Sequence, residues 1–158
     1  MTPALRTREG RGFLFLQEAL GNRPYNYNHG DSDMIQNVLI VGIGGFAGAV
    51  VRYALAVWIG QAWGRSFPLG TFVINVSGSF LIGLLMTLFT ERYSVDPAWR
   101  LLFVVGFLGA YTTFSTFEYE TGKLIEDAEW FYAAMNVGLS VVVGFTALKF
   151  GEMLAKII

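Results

Sequence analysis

A cluster of hydroxyl side chains interrupts an apolar part of the sequence, in the stretch FLGAYTTFSTFEYET at residues 107–121. Hydroxyl residues compete for backbone hydrogen bonds, so the TTFST run at 112–116 is a place where a helix can open. If it opens, the carbonyl groups of Gly109, Ala110 and Thr112 become available to a cation, and the downstream amide groups face an anion. The alternative is an unbroken helix whose threonines bond to carbonyl groups of the preceding turn.

Two further sets of polar residues recur every four positions, so each set lines one face of a helix. The sets are Thr71, Asn75 and Ser79, and Tyr132, Asn136 and Ser140. They offer hydroxyl and amide donors and no acid, which suits an anion that must lose its water better than a proton or a metal ion. Alternatively, each residue only joins neighbouring helices by a hydrogen bond, as single polar residues in membranes commonly do.

Aromatic and charged residues add to this pattern. Phe114 and Phe117 share a face if their segment is helical, and the positive edges of the rings can contact an anion, although simple packing is the alternative. Arg52 is the only charged residue of the first apolar segment and either serves a site inside the membrane or extends to its surface. Glu118 and Glu120 follow the hydroxyl run, and we expect Glu118 to mark the membrane boundary.

The composition indicates that these residues work inside a membrane. The 158 residues are 54% hydrophobic and 15% charged, well below the roughly 25% of a soluble domain. A net charge of −1 gives no reason to expect nucleic acid as a partner. There is no cysteine and the only histidine is His29, so the usual residues of nucleophilic catalysis and metal binding are missing and we do not expect an enzyme.

Four stretches are long and apolar enough to cross a hydrocarbon core ~30 Å thick, which takes roughly 20 helical residues. We expect spans at about 35–59, 67–90, 99–121 and 130–154, with the third broken near 109–115. Ser66 with Pro68, and Asp96 with Pro97, are typical starts for the second and third helices. The sequence therefore predicts an all-α membrane protein with four transmembrane helices, the third of them broken at the TTFST segment.

The first 33 residues differ in kind from the rest of the chain. They hold four arginines and four acids, and their apolar run FLFL is too short for a signal peptide. We expect a polar N-terminal extension at 1–33, partly disordered, with a short interfacial helix around 13–20. Met34 is then an alternative natural start, and 34–158 form the membrane domain.

Several strings resemble the Fluc/CrcB family of bacterial fluoride channels. They are GGFAGAVVRY at 44–53, FPLGTFVINVSGSFLIG at 67–83, GFLGAYTTFSTFEYET at 106–121 and the YxxxNxxxS spacing at 132–140. The resemblance covers all four spans in the family's order, and its PLGT…N and TTFSTF motifs are specific.

The resemblance implies a passive fluoride-specific channel in the bacterial plasma (inner) membrane. It also implies an antiparallel, dual-topology homodimer with two fluoride pores and a structural sodium ion, which is not transported, at the dimer centre. Main-chain carbonyl groups of Gly109 and Thr112 would hold the sodium ion. One departure is Ala110, where the family commonly has a second glycine, and we expect its added methyl group to be tolerated.

The family's pathway residues fall on positions already singled out by their chemistry. They are Phe114, Phe117, Asn75, Tyr132, Asn136, Ser140 and the vestibule residue Arg52, to which we add Thr71 and Thr113. Fluoride is small and tightly hydrated, so we expect donors and ring edges to replace its water in series without binding it too tightly.

The distribution of lysine and arginine bears on the dual topology. The connections of 34–158 place Arg92, Arg100, Lys149 and Lys156 on one side of the membrane, and Arg52, Arg65 and Lys123 on the other. Such a balance permits insertion in either direction. The arginines of residues 1–33 would bias it, so we hypothesise that Met34 is the functional start or that the extension does not direct insertion.

Two alternatives to a fluoride channel are a small proton-coupled exporter of cations or drugs and a membrane protein that transports nothing. The exporter needs a carboxylate inside the membrane, usually in the first span, and residues 34–59 have none. In a protein that transports nothing, the glycines at 42, 44, 45 and 48 would serve close helix packing alone. A fluoride flux assay separates the three.

Overall fold

The protein is a bundle of long apolar helices. The structure, a computed structural model, describes residues 31–63, 67–93 and 95–158, and every regular element within those ranges is helical. Four segments are long and apolar enough to cross a membrane: Asp33–Trp63, Leu69–Arg92, Pro97–Glu126 and Trp130–Ile157. The prediction of an all-α protein with four membrane-spanning segments is confirmed. The expected disorder and interfacial helix of the N-terminal extension, before residue 31, lie outside the described residues.

Within the described ranges the bundle has five helices, which we number in chain order. They are α1 (Asp31–Trp63), α2 (Leu69–Thr87, continued by a π-helical turn at Leu88–Arg92), α3 (Pro97–Arg100, then π-helical Leu101–Leu108, then Gly109–Tyr111), α4 (Phe114–Glu126) and α5 (Trp130–Ile157). The third apolar segment is therefore made of α3 and α4 together.

The start of α3 follows the local sequence as predicted. Asp96 is the N-cap residue, its carboxylate accepts a hydrogen bond of 2.8 Å from the Ala98 amide, and Pro97 occupies the first turn, where its missing N–H costs nothing. For α2 the N-cap is Pro68, which makes no side-chain capping bond, and Ser66 lies outside the described residues.

Two residues between α3 and α4 leave helical geometry in the third apolar segment. Thr112 has φ −77° and ψ 155°, and Thr113 has φ −150° and ψ 115°, both in the extended region. The chain becomes helical again at Phe114, where the Thr113 hydroxyl caps α4 by accepting from the Thr116 amide at 3.3 Å.

Glycines allow α1 to lie directly against the backbone of α3. A Cβ atom added at Gly44 would overlap the Leu102 carbonyl oxygen, and one added at Gly48 would overlap that of Phe107. In a bilayer, such close approach replaces the hydrophobic effect as the main source of helix association. The glycine-rich face of α1 therefore fixes the position of the helix that leads into the interruption.

The pair α2 and α5 packs by the same principle. A Cβ added at Gly83 would overlap the Leu148 carbonyl oxygen, and one at Gly151 would overlap that of Phe80. A buried cluster of Ile74, Leu108 and Tyr111 fills the space between α2 and α3.

The glycine contacts give a test of this packing on a single helix. Gly44→Ala should lower the free energy of unfolding by about 1–3 kcal/mol, because the new methyl group must displace the Leu102 carbonyl. Gly42→Ala is the matched control, since an added Cβ there meets nothing within 4 Å. Thermal unfolding of the detergent-solubilised protein measures both, and equal melting temperatures for the two variants would contradict this packing.

Candidate functional site

One face of α2 is turned towards the interruption between α3 and α4. Thr71, Ile74 and Gly78 on this face are buried, and Asn75 lies between them at helical spacing. A Cβ at Gly78 would overlap the methyl group of Thr112, so the absence of a side chain there lets α2 approach the interrupted backbone.

Asn75 bonds to both backbone groups of Thr113. The Thr113 amide donates to the Asn75 side-chain oxygen at 2.8 Å, and the Asn75 side-chain nitrogen donates to the Thr113 carbonyl at 3.0 Å. A backbone group without a partner in hydrocarbon costs several kcal/mol, so these two bonds satisfy a requirement that the interruption creates.

The same interruption changes the surroundings of two carbonyl groups. In a continuous helix the Gly109 carbonyl would accept from the Thr113 amide, and the Thr112 carbonyl from the Thr116 amide. Here the Thr113 amide donates to Asn75 and the Thr116 amide donates to the Thr113 hydroxyl. Both carbonyl groups lose their usual helical donors, and Gly109 is exposed on the surface of the chain.

The threonines of the run do different things, and each alternative considered from the sequence describes one of them. Thr112 bonds to the Leu108 carbonyl one turn earlier at 3.0 Å, as expected for a threonine in an unbroken helix. The Thr113 hydroxyl, in contrast, turns forward and donates to the Thr116 hydroxyl at 2.8 Å.

Phe114 and Phe117 lie side by side at the start of α4. Their ring centroids are 5.7 Å apart and the ring planes are inclined by 36°. Phe114 is 71% exposed on the isolated chain, whereas Phe117 is half-buried. Lipid or another protein surface must therefore cover the Phe114 ring in a membrane.

Glu120 joins the polar face of α2, a contact that the sequence left open. The Thr71 hydroxyl donates to one carboxylate oxygen of Glu120 at 2.9 Å, and the other oxygen is buried without a partner among the described residues. The pair lines a cavity of about 160 Å³ that is also bordered by Trp63 and Phe67. Because Thr71 lies in the first turn of α2, this cavity is near one end of the membrane-spanning bundle.

The polar face of α5 meets α4 at Thr121, the residue after Glu120. Asn136 is 1% exposed, and its side-chain nitrogen donates to the Thr121 hydroxyl at 2.8 Å. The Ser140 hydroxyl is buried and has no partner among the described residues. Ser79 on α2 lies beside Gly144, one turn beyond Ser140, so the two polar faces approach each other here.

Two of the predicted pathway residues lie apart from these contacts. Tyr132 is partly exposed, and its ring contacts Phe131 edge to face. Arg52 is half-buried on α1 and forms no ion pair with any described residue. It lies one turn from Leu55 and Ala56, which pack against the buried cluster of α2 and α3.

The structure thus brings the polar residues together through the interruption and α4. Thr71 meets Glu120, Asn75 meets Thr113, and Asn136 meets Thr121. Glu120 and Thr121 are not among the site residues predicted from the sequence. The signal that could have found them is their spacing of three and four residues from Phe117, which puts all three on one side of α4.

Known proteins are similar in sequence to most of the part of the chain that holds these residues. A family model described as "CrcB-like protein, Camphor Resistance (CrcB)" matches residues 39–152. The fluoride-specific ion channel FluC of Solibacter usitatus is 48% identical over 118 residues, which are 75% of this chain and 97% of that protein. The FluC protein of Acidobacterium capsulatum is 45% identical over 75% of this chain and 94% of its own. That of Sulfurihydrogenibium sp. is 37% identical over 78% of this chain and all of its own.

A double-mutant cycle tests the contact between α4 and α5. Asn136→Ala and Thr121→Val each remove one partner of the 2.8 Å hydrogen bond. We expect a coupling free energy of about 0.6 kcal/mol, up to ~1.7 kcal/mol, the range of side-chain bonds between membrane helices. Thr146→Val is the control, because Thr146 bonds only within its own helix, to the Val142 carbonyl. A cycle with Asn136 and Thr121 that shows no more coupling than one with Asn136 and Thr146 would refute the contact.

Proposed function

This chain belongs to the CrcB family, and we propose that it is a channel that lets fluoride leave the cell passively across the bacterial inner membrane. The observation that carries the proposal is the match with fluoride-specific channels over nearly their whole length, at up to 48% identity. The match spans 39–152, which includes all the proposed pathway residues.

The described geometry leaves particular donors available for an anion. The buried Ser140 hydroxyl has no partner in the part of the chain that the structure describes, and the Asn75 side-chain nitrogen uses one of its two hydrogens on Thr113. The inclined rings of Phe114 and Phe117 can turn their positive edges towards a halide. A series of such donors replaces the water of fluoride without holding the ion so firmly that it cannot leave.

Flow through these residues needs no chemical reaction. Fluoride moves down its electrochemical gradient, which lowers a toxic concentration inside the cell. The family is one of ion channels and not of enzymes, so the pathway residues act by binding and orienting an ion.

The third transmembrane helix is broken at Thr112 and Thr113 in this proposal, and a structural sodium ion belongs to the break. The carbonyl groups of Gly109 and Thr112 would hold it, and they fit because their usual helical donors bond elsewhere. Unwound carbonyl groups are a common source of sodium ligands in membrane proteins. The bound cation would supply a fixed positive charge beside the pathway of an anion and would not be transported.

The functional unit in this proposal is an antiparallel homodimer with two pores. Gly109 is exposed on the isolated chain, as a ligand shared between two copies must be. Phe114 is 71% exposed, so a second copy would complete the wall around its ring. The near balance of lysine and arginine between the two sides in 34–158 permits insertion in both directions.

The exporter alternative finds little support. Its carboxylate would need to lie deep in the membrane, whereas the half-buried Glu120 bonds to the first turn of α2. The packing alternative explains Gly44 and Gly48, which touch the backbone of α3. It does not explain polar faces turned towards each other, or a buried Ser140 hydroxyl that no described residue pairs with.

Replacing the proposed pore ring tests the function directly. Phe114→Ile should reduce fluoride efflux from proteoliposomes to the background of protein-free liposomes, because an aliphatic side chain has no positive edge. Phe103→Ile is the control, since Phe103 stacks on Trp99 away from the polar faces. A fluoride electrode measures both, and unchanged efflux in Phe114→Ile would remove the aromatic part of the mechanism.

Sodium removal tests the proposed ion. Replacing sodium by N-methylglucamine at equal ionic strength should lower the melting temperature of the purified dimer. A ligand at 100 times its dissociation constant stabilises a protein by about 2.7 kcal/mol. A third buffer, with potassium in place of sodium, is the control for the size of the cation. If the melting temperature is the same in all three salts, this chain does not bind structural sodium.

A further inference from the structure

We propose that Asn75 is a positioning residue, which holds Thr113 in extended geometry by taking both of its backbone groups. The proposal adds to the proposed function by giving Asn75 the task of maintaining the helix break. Its transport readout rests on that proposed function. In this role Asn75 acts through the backbone, and any contact with fluoride is secondary.

The geometry of an extended residue makes this possible. In a helix the N–H and C=O groups of one residue point in opposite directions along the axis, so one side-chain amide cannot reach both. In an extended residue both groups point to the same side, as in the strand pairs that exchange two hydrogen bonds. Thr113 has φ −150° and ψ 115°, and its two bonds to Asn75 measure 2.8 and 3.0 Å.

Competition with the helix explains why such a residue is needed. Without Asn75, the Thr113 amide and carbonyl would either lie unpaired in a membrane, at several kcal/mol, or return to helical partners. The helical partner of the Thr113 amide is the Gly109 carbonyl, so a return to helix would occupy the oxygen proposed to bind sodium. It would also rotate Phe114, the next residue, around the helix axis.

Neighbouring contacts on α2 hold Asn75 next to Thr113. Gly78, one turn further along α2, has room for no side chain against Thr112. Ser77 bonds to the Tyr111 hydroxyl at 2.9 Å and so joins α2 to the last residue of α3. Two contacts within one turn of Asn75 thereby fix its position relative to Thr113.

The experiment compares Asn75→Asp and Asn75→Leu with the unchanged protein. A neutral aspartic acid side chain can accept from the Thr113 amide and donate its O–H to the Thr113 carbonyl, whereas its charged form cannot donate. Leucine can do neither at any pH. The first readout is the backbone chemical shifts and amide exchange of Thr113, measured by NMR in detergent without fluoride.

The second readout is fluoride efflux from proteoliposomes between pH 5 and 8, each value corrected with protein-free liposomes for leakage of hydrogen fluoride. At pH 8 we expect the efflux rate of Asn75→Asp to be lower than that of the unchanged protein by about tenfold or more, as for the loss of a buried hydrogen bond. At the low end of this range, once the Thr113 shifts show that the neutral side chain has restored both bonds, efflux should recover to within about twofold of the unchanged protein. Asn75→Leu should not recover at any pH.

In the first readout, Thr113 in Asn75→Leu should lose its extended shifts or exchange its amide at least about tenfold faster. The control is Asn136→Asp, in which the Thr113 shifts should stay as they are, because Asn136 bonds to the Thr121 hydroxyl and not to this backbone. If Asn75→Leu does not fold, the charged form of Asn75→Asp at pH 8 is compared in the same way with its own neutral form at low pH.

Three results would overturn the proposal. The first is a Thr113 with unchanged shifts and exchange in Asn75→Leu while efflux is lost, which would make Asn75 a direct ligand of fluoride. The second is efflux in Asn75→Leu equal to that of the unchanged protein. The third is an Asn75→Asp variant that regains the Thr113 shifts of the unchanged protein at low pH but does not regain efflux. If the unchanged protein itself carries no fluoride, the proposed function fails, and the NMR readout still decides whether Asn75 holds Thr113.

Discussion

The need to pair every backbone polar group inside hydrocarbon governs this structure. Helices satisfy that need along most of the described apolar segments, but at Thr112 and Thr113 the chain is extended within the third of them. There the partners come from side chains, since Asn75 bonds to the Thr113 backbone and the Thr113 hydroxyl caps α4. The carbonyl groups of Gly109 and Thr112 thereby lose their helical donors. Carbonyl groups without helical donors bind cations in membrane proteins, and the first turns of helices bind anions.

Close helix packing makes those side-chain partners effective. Gly44 and Gly48 fix α3 against α1, and Gly78 lets α2 reach the interrupted backbone. A hydrogen bond tolerates a change of only a few tenths of an ångström in its donor–acceptor distance. A helix held 1 Å further away would therefore leave Thr113 unpaired. The glycines of this chain therefore support its polar contacts as well as its stability.

Much of the fold and part of the candidate site could be predicted from the sequence. The four apolar segments, the Asp96 cap and the position of the hydroxyl run follow from residue types and local spacing. The role of Asn75 could not be predicted from the sequence. Polar residues on one helix face have the same spacing whether they line a pathway or bond to a backbone. The direction of the Glu120 side chain could not be predicted for a similar reason, since only its contact with Thr71 shows that the acid turns inwards.

The sequence by itself determined the solvent, the number of spans and the family, because composition, hydrophobic length and motifs are local properties of the chain. It also marked residues 112–116 as a place where a helix can open. Only the tertiary structure decided which residue completes that opening, because Asn75 and Thr113 are 38 positions apart. Their meeting depends on how α2 is rotated and how closely it approaches, and packing between helices sets both.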